Sequence, residues 1–336
     1  MCAAVRHISC KYVTYLILFF LFSSFAVSAG AGTIVRVSTS IGDFSIELLD
    51  GTAPITVQNY LNYVNRNDYN GTYIHRAIDD FVVQGGAFRF KLFEGPIDVP
   101  TDPPIENEFK GVSNTRGTVA MAKIGGDPNS ATNQWFVNLI DNLVLDVTDG
   151  GFTVFGQVLG EGMQIVDAID DLPTVSLGQA KAPYAPYFTQ TYNNPLDFVY
   201  INVEVTERFS SAPHVFESAT GLLITSVDID NGSNFISLNF NVVPSESEVV
   251  VKANLDSIIP RQANLPGVAT FSTSDNRLRI PSLEVNLDGA VSLVSNVVFV
   301  LSDAVNFLFT LESFEQKWIA MYHCKALGYS CVGQNP

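Results

Sequence analysis

The sequence predicts a mainly β chain in two parts, a larger body with two helices and a smaller all-β region built from a repeat. Three observations predict it. Residues 33–49, TIVRVSTSIGDFSIELL, alternate apolar and polar around Ile41-Gly42-Asp43, the pattern of a β-hairpin. Helical spacing appears in two stretches, APITVQNYLNYVNR (53–66) and EGMQIVDAID (161–170). The chain changes character after about residue 208, alternates like strands from 214 to 313, and there matches itself at one fixed offset.

The N-terminal thirty residues differ in kind from the rest. Arg6, His7 and Lys11 precede an uncharged apolar run of 16 residues, YVTYLILFFLFSSFAV, and small residues follow at Val27-Ser28-Ala29. A basic start, an apolar centre and a small-residue exit make a secretory signal over residues 1–29, cut after Ala29 or Ala31. The run is short for a membrane span, which needs about 20 residues. The expected destination is therefore the periplasm or the medium, with no membrane attachment after cleavage.

In the hairpin, Phe44, Ile46 and Leu48 fall on one face. The first helix takes Thr56 as its N-cap and buries Val57, Leu61 and Val64; the second buries Met163, Val166 and Ile169. Short apolar strands separated by Gly/Asn/Asp turns lie between them, and DFVYINVEVTE (197–207) closes the body as its last strand. RFSSAPH (208–214) reads as a linker. In the region that follows, 214–336, Leu222, Ile224, Ser226 and Ile229 lie 56 residues before Leu278, Ile280, Ser282 and Val285. The same offset of 56 carries NLDS (254–257) onto TLES (310–313), so two copies of one unit are expected, about 221–257 and 276–313. DIDNGSN (228–234) is read as a hairpin turn, because Ser233 stands where a calcium loop needs glycine. Signal cleavage removes Cys2 and Cys10; Cys324 and Cys331 remain, expected to form one local disulfide in an oxidising compartment.

Composition and missing motifs narrow the chemistry. A formal charge of −16 with no Lys/Arg-rich run argues against nucleic acid as a partner. Of the four histidines, His7 lies in the signal, leaving His75, His214 and His323. The sequence holds no GxSxG elbow, no HExxH helix, no CxxC pair and no glycine-rich phosphate or dinucleotide loop. Neither a metal nor a cofactor is implied. A reaction that needs no nucleophile fits best.

Three segments then carry a resemblance. YIHRAIDDFVVQGG (73–86), GTVAMAKIGGDPNSATNQWFVNL (117–139) and LDVTDGGFTVFGQVLGEGMQIVDAI (145–169) resemble, in order and spacing, the signature segments of the cyclophilin-type peptidyl-prolyl cis–trans isomerases. The likeness spans about residues 33–207 and is nearer to bacterial members. It implies a closed eight-stranded antiparallel barrel with two capping helices, acting on proline-containing polypeptides. It also implies that Arg76 is the catalytic donor and Gln84 the group that orients it. Phe81, Phe136 and Leu145 would line a proline pocket, with Val82 where the family often has Met. Gln134 and the backbone at Ala122 and Lys123 would hold the peptide, and Phe152 stands where many members have His. Val144 occupies the place of a Trp found in cyclosporin-sensitive members, which implies weak cyclosporin binding. Asp79 and Asp80 replace a Pro-Gly pair; pairing with the Arg76 guanidinium would weaken catalysis, but they are expected to cap an exposed turn. His75 alternates to the opposite face from Arg76 and is expected to be structural. Two further readings stay open. One is a weakly catalytic, proline-binding module targeted by its C-terminal domain; the other gives that domain, whose partner is unknown, the main role as an adhesion module.

Overall fold

The structure is a computed structural model that describes residues 32–91, 94–177, 180–184, 197–229, 232, 234–261, 267–287 and 290–316. The signal segment and the Cys324–Cys331 pair lie outside the described residues.

The first sheet contains β1 (Ile34–Thr39), β2 (Asp43–Leu48), β3 (Thr72–Tyr73), β4 (Arg76–Ile78), β5 (Val82–Gly85), β6 (Phe88–Lys91) and β7 (Gly95–Asp98). It continues with β8 (Thr118–Met121), β9 (Trp135–Asn138), β10 (Val154–Val158), β11 (Thr174–Leu177), β12 (Ala180–Pro183) and β13 (Tyr200–Thr206). Its strand order is β11-β12-β4-β5-β9-β8-β10-β2-β1-β13-β3-β6-β7. β3 and β4 are two segments of one run of chain, joined through Ile74 and His75, whose N–H groups donate to Val199 O (2.9 Å) and Gln84 O (3.2 Å). The run 72–78 thus pairs with β13 at one end and β5 at the other, and closes an eight-stranded antiparallel barrel. The β6–β7 and β11–β12 hairpins are additions outside the ring.

The β1–β2 turn is tied by Thr39, whose Oγ1 donates to Gly42 O (2.7 Å) and accepts from the N–H groups of Ile41 and Gly42. Phe44, Ile46 and Leu48 point inward and meet Val35, Val37, Val119, Val137, Trp135 and Phe155 in one core. Two helices cover it, α1 (Pro54–Asn65) and α2 (Gly162–Asp170). On α1 the buried stripe is Val57, Tyr60, Tyr63 and Val64, with Leu61 at its margin. On α2, Val166 and Ile169 are buried and Met163 packs partly against them.

The expected cap at Thr56 is corrected. Pro54 sits in the first turn, its fixed φ suited to a helix start, so the helix begins before Thr56. One of its free N–H groups is met from a distance, because the Glu108 carboxylate accepts from Thr56 N (2.7 Å) and also from Thr56 Oγ1 (2.8 Å).

The second sheet holds β14 (Val215–Glu217), β15 (Leu222–Ile229), β16 (Asn234–Val243), β17 (Val250–Pro260), β18 (Ala269–Ser272), β19 (Arg277–Leu287), β20 (Ala290–Asp303) and β21 (Leu308–Gln316). Its order is β14-β15-β16-β17-β21-β20-β19-β18, and β14 also pairs with β19 and β18 with β15. The short strands β14 and β18 therefore lie end to end in one slot between β15 and β19, closing a barrel with seven strand positions. Lys252 and Leu308, 56 residues apart, are register partners where β17 meets β21. Equivalent residues of the two copies thus face each other across a local two-fold axis.

This second barrel lies against the outward face of β1, β2 and β13, through polar contacts. The Asp43 carboxylate accepts from Arg36 Nε (3.1 Å) and Nη2 (2.6 Å), and Arg261 of the second barrel pairs with its other oxygen. Asn202 Nδ2 donates to Ser257 O (2.6 Å), and Asn239 Nδ2 to Glu204 Oε1 (2.9 Å). The remaining strands of the first ring stay clear for other use.

Candidate active site

One row of register partners crosses that remaining arc. Arg76 on β4 faces Gln84 on β5, Gln84 faces Phe136 on β9, Phe136 faces Ala120 on β8, and Ala120 faces Val154 on β10. Directly opposed residues in a sheet project to the same face. The neighbouring row, Ala77, Val83, Val137 and Val119, points the other way into the core. Alternation therefore puts a guanidinium, an amide and an aromatic ring side by side on the outside of the barrel.

The polar end is tied in sequence. Arg76 Nη1 donates to Gln84 Oε1 (3.1 Å), and Gln84 Nε2 donates to Gln134 Oε1 (2.9 Å). The Arg76 guanidinium carbon also sits 5.6 Å from the centre of the Phe81 ring. Partial burial lowers the affinity of Arg76 for its proton, yet an arginine stays cationic through such a shift. Asp79 and Asp80 do not pair with it: both are exposed in the β4–β5 turn, closed by Phe81 N to Ile78 O (2.9 Å), and its side-chain partner is Gln84.

The apolar end is a satellite cluster separate from the barrel core. Val82, Ala120, Phe136, Leu145 and Val154 are buried in it, and Phe81, Ala122 and Phe152 pack at its margin. Phe136 and Phe152 meet edge to face at 5.9 Å. Leu145 and Phe152 come from one loop, closed by Phe152 N to Leu145 O (2.9 Å). Lys123 holds that loop: its Nζ donates to Asp149 O (2.6 Å) and Gly151 O (2.7 Å) and lies 4.5 Å from the Phe152 ring centre. The Lys123 side chain is thus a brace for the pocket wall. The N–H of Ala122 already donates to Gln134 O (2.9 Å), so a peptide could use it only by breaking that bond. Val144 lies exposed on the rim beside Leu145.

Sequence reasoning passed over an asparagine set that frames this pocket. Asn114 donates from N (2.8 Å) and Nδ2 (2.9 Å) to Asp146 Oδ1, and from Nδ2 to Phe152 O (3.1 Å). Asn138 Nδ2 reaches Asn114 Oδ1 (3.2 Å); Asn142 Nδ2 reaches Asn138 Oδ1 (2.9 Å) and Phe81 O (2.8 Å). Burial would raise the Asp146 carboxyl, but the hydrogen bonds from Asn114 and Ser113 hold it below its ordinary value. Single asparagines scattered between other motifs read as turn or surface residues, so nothing local marked them as a buried network.

His75 is buried, edge-on to Phe88 at 5.2 Å. Its hydrogen bond with Gln134, itself bonded to Gln84, sets it beside the Arg76 chain, so the opposite face expected from alternation is corrected: the β3–β4 run changes partner strand at Ile74 and His75 and regular alternation does not carry through. Burial pushes its imidazole down to about 4; the Arg76 charge acts in the same direction and a hydrogen bond with Gln134 opposes both. It is neutral at physiological pH. Gly86 explains the second glycine of QGG: its φ is +94°, and a Cβ there would lie 2.4 Å from Asn133 O.

Residues 34–187 match the family described as cyclophilin type peptidyl-prolyl cis-trans isomerase. A peptidyl-prolyl cis-trans isomerase of Acinetobacter baylyi is 44% identical over 151 residues, 44% of this chain and 77% of that protein. Peptidyl-prolyl cis-trans isomerase A of Dickeya dadantii is 40% identical over 156 residues, 46% of this chain and 79% of that protein. A solved cyclophilin-type isomerase of Cryptosporidium parvum, determined in the presence of the dipeptide Ala-Pro, covers 52% of this chain and 99% of its own at 20% identity and a TM-score of 0.40. With an arginine–glutamine pair beside an aromatic pocket on a closed eight-stranded barrel, and relatives at this identity over most of their length, the chain belongs to the cyclophilin-type peptidyl-prolyl cis–trans isomerases.

Proposed function

We propose that the protein is an exported folding catalyst that turns Xaa-Pro bonds in other exported chains, with Arg76 as its catalytic residue. Isomerase activity follows from the family; export, the substrate chains and the residue roles are the proposal. The barrier to be lowered is about 18–20 kcal/mol, set by amide resonance. A donor that draws the prolyl nitrogen lone pair out of conjugation weakens that resonance, most effectively where water is excluded. Arg76 supplies such a donor, Gln84 fixes its direction, and Phe81, Phe136, Leu145 and Phe152 offer an apolar wall for the proline ring. No bond is made or broken, which suits a site without a nucleophile. The observation that carries the reading is the register row that sets Arg76, Gln84 and Phe136 on one face.

The export part rests on the basic start, apolar run and small residues before Thr33. The test joins two measurements on protein produced with its own N-terminus. Intact mass should show a mature start after Ala29 or Ala31. That material should accelerate cis–trans exchange of an Ala-Pro peptide, followed by NMR line shape. A retained N-terminus would refute export, and a folded protein without effect on exchange would refute the catalyst.

A further inference from the structure

The row that builds the site does not stop at Arg76. β12 adds to the outer edge of β4 in the parallel sense, with Lys181 as the register partner of Arg76. The two residues therefore project to the same face, on neighbouring strands. Lys181 is exposed, and among the described residues it makes no ion pair. Its placement comes from the β11–β12 hairpin, held by the pairs Thr174↔Pro183 through Leu177↔Ala180. The hairpin is anchored by Ala182 and Tyr184, which pack with Tyr73 and Phe198. A flexible ammonium thus stands on a fixed strand at the open end of the catalytic row.

The charge there is unusual for this chain, which carries 34 acidic against 18 basic residues. Carboxylates near the β4–β5 turn, Asp79 and Asp80, sit at the far end of β4, beyond Ile78, while Lys181 pairs at its first residue. Lys123, the other cation of the site, is bound to the carbonyls of Asp149 and Gly151. Arg76 is directed toward Gln84, away from β12. Lys181 is the cation left for a substrate.

We infer that Lys181 is a specificity-determining residue, selecting proline-containing segments that carry an aspartate or glutamate close to the proline. The inference rests on the isomerase reading of the Arg76 site and names the substrate class for it. An exposed ion pair is worth a modest factor, so the preference should be about two- to five-fold and should fade with added salt.

The test uses the mature full-length protein and three peptides identical except for Glu, Gln or Lys, placed in turn on either side of an Ala-Pro unit. For the wild type, Lys181→Gln and Lys181→Glu, both the dissociation constant and the exchange rate are measured by NMR. The Glu/Gln ratio should favour Glu about two- to five-fold in the wild type, approach one in Lys181→Gln, and invert toward the Lys peptide in Lys181→Glu. A ratio that stays the same in all three proteins would overturn the inference, as would one insensitive to 0.5 M salt. Because the ratio is also read in binding, a protein that binds but does not turn over would refute the isomerase reading while still deciding the role of Lys181.

Discussion

At the scale of single residues, the site depends on groups that hold others in place. Asn114 makes three hydrogen bonds to Asp146 and Phe152 and accepts one from Asn138, so it links the pocket loop to β9. Asn114→Ala should leave buried partners unsatisfied and cost about 1–3 kcal/mol in denaturant unfolding. Peptide affinity should fall with it, as Phe152 loses its anchor; unchanged stability and affinity would show that the network is dispensable. The residues proposed to hold a peptide were legible in the sequence because they sit inside compact motifs, Arg76 to Gln84 and Gln134 to Phe136. Asn114 and Lys181 were not. Lys181 lies 105 residues after its partner Arg76, and only the parallel pairing of β12 brings it there.

At the scale of elements, periodicity read the faces better than the ends. The inward stripe of β2 and the Val166–Ile169 face of α2 follow directly from spacing. The start of α1 did not, since Thr56 N in its first turn is met by Glu108, some fifty residues away in sequence. The end of α2 carries a cost of its own. Asp170 closes the helix at the negative end of its dipole, close to Asp79, Asp80, Asp167 and Asp171. Burial first, then these carboxylates, push its carboxyl up to about 6. A folded pKa above the ordinary 3.8 means that the folded state holds the proton more tightly. The resulting stability is present below pH 4 and is lost as pH rises through 6. Asp170→Asn should therefore stabilise the protein at pH 7.5, by on the order of 1 kcal/mol for this solvent-screened group, with the gain vanishing in acid. Equal effects at both pH values would contradict the origin assigned here.

At the scale of the whole molecule, the first barrel divides its outer surface. β4, β5, β9, β8 and β10 carry the row of the site, while β2, β1 and β13 receive the second barrel. The second barrel therefore docks without covering the strands that carry the row. Asp43, read from the sequence only as part of a turn, proves to be the ionic centre of this contact, between Arg36 and Arg261. Burial would raise its carboxyl, but the charges and hydrogen bonds of the two arginines outweigh that and hold it below 3.8. Its stabilisation is thus present above pH 4 and is lost only as pH falls through the depressed value. Asp43→Ala leaves two buried guanidinium groups without their carboxylate and should cost about 3–5 kcal/mol, with the loss read by denaturant unfolding at pH 7. A cost below about 1 kcal/mol would mean that the barrels do not depend on this ion pair.

The central claim is that Arg76 lowers the rotational barrier of a bound Xaa-Pro bond. The most direct measurement is cis–trans exchange of one Ala-Pro peptide, with its binding, for the wild type and Arg76→Ala. The account predicts exchange reduced about 100- to 1000-fold in the variant, the loss expected for one transition-state donor, with peptide still held by the aromatic pocket. Exchange catalysed equally well by the two folded proteins would contradict it.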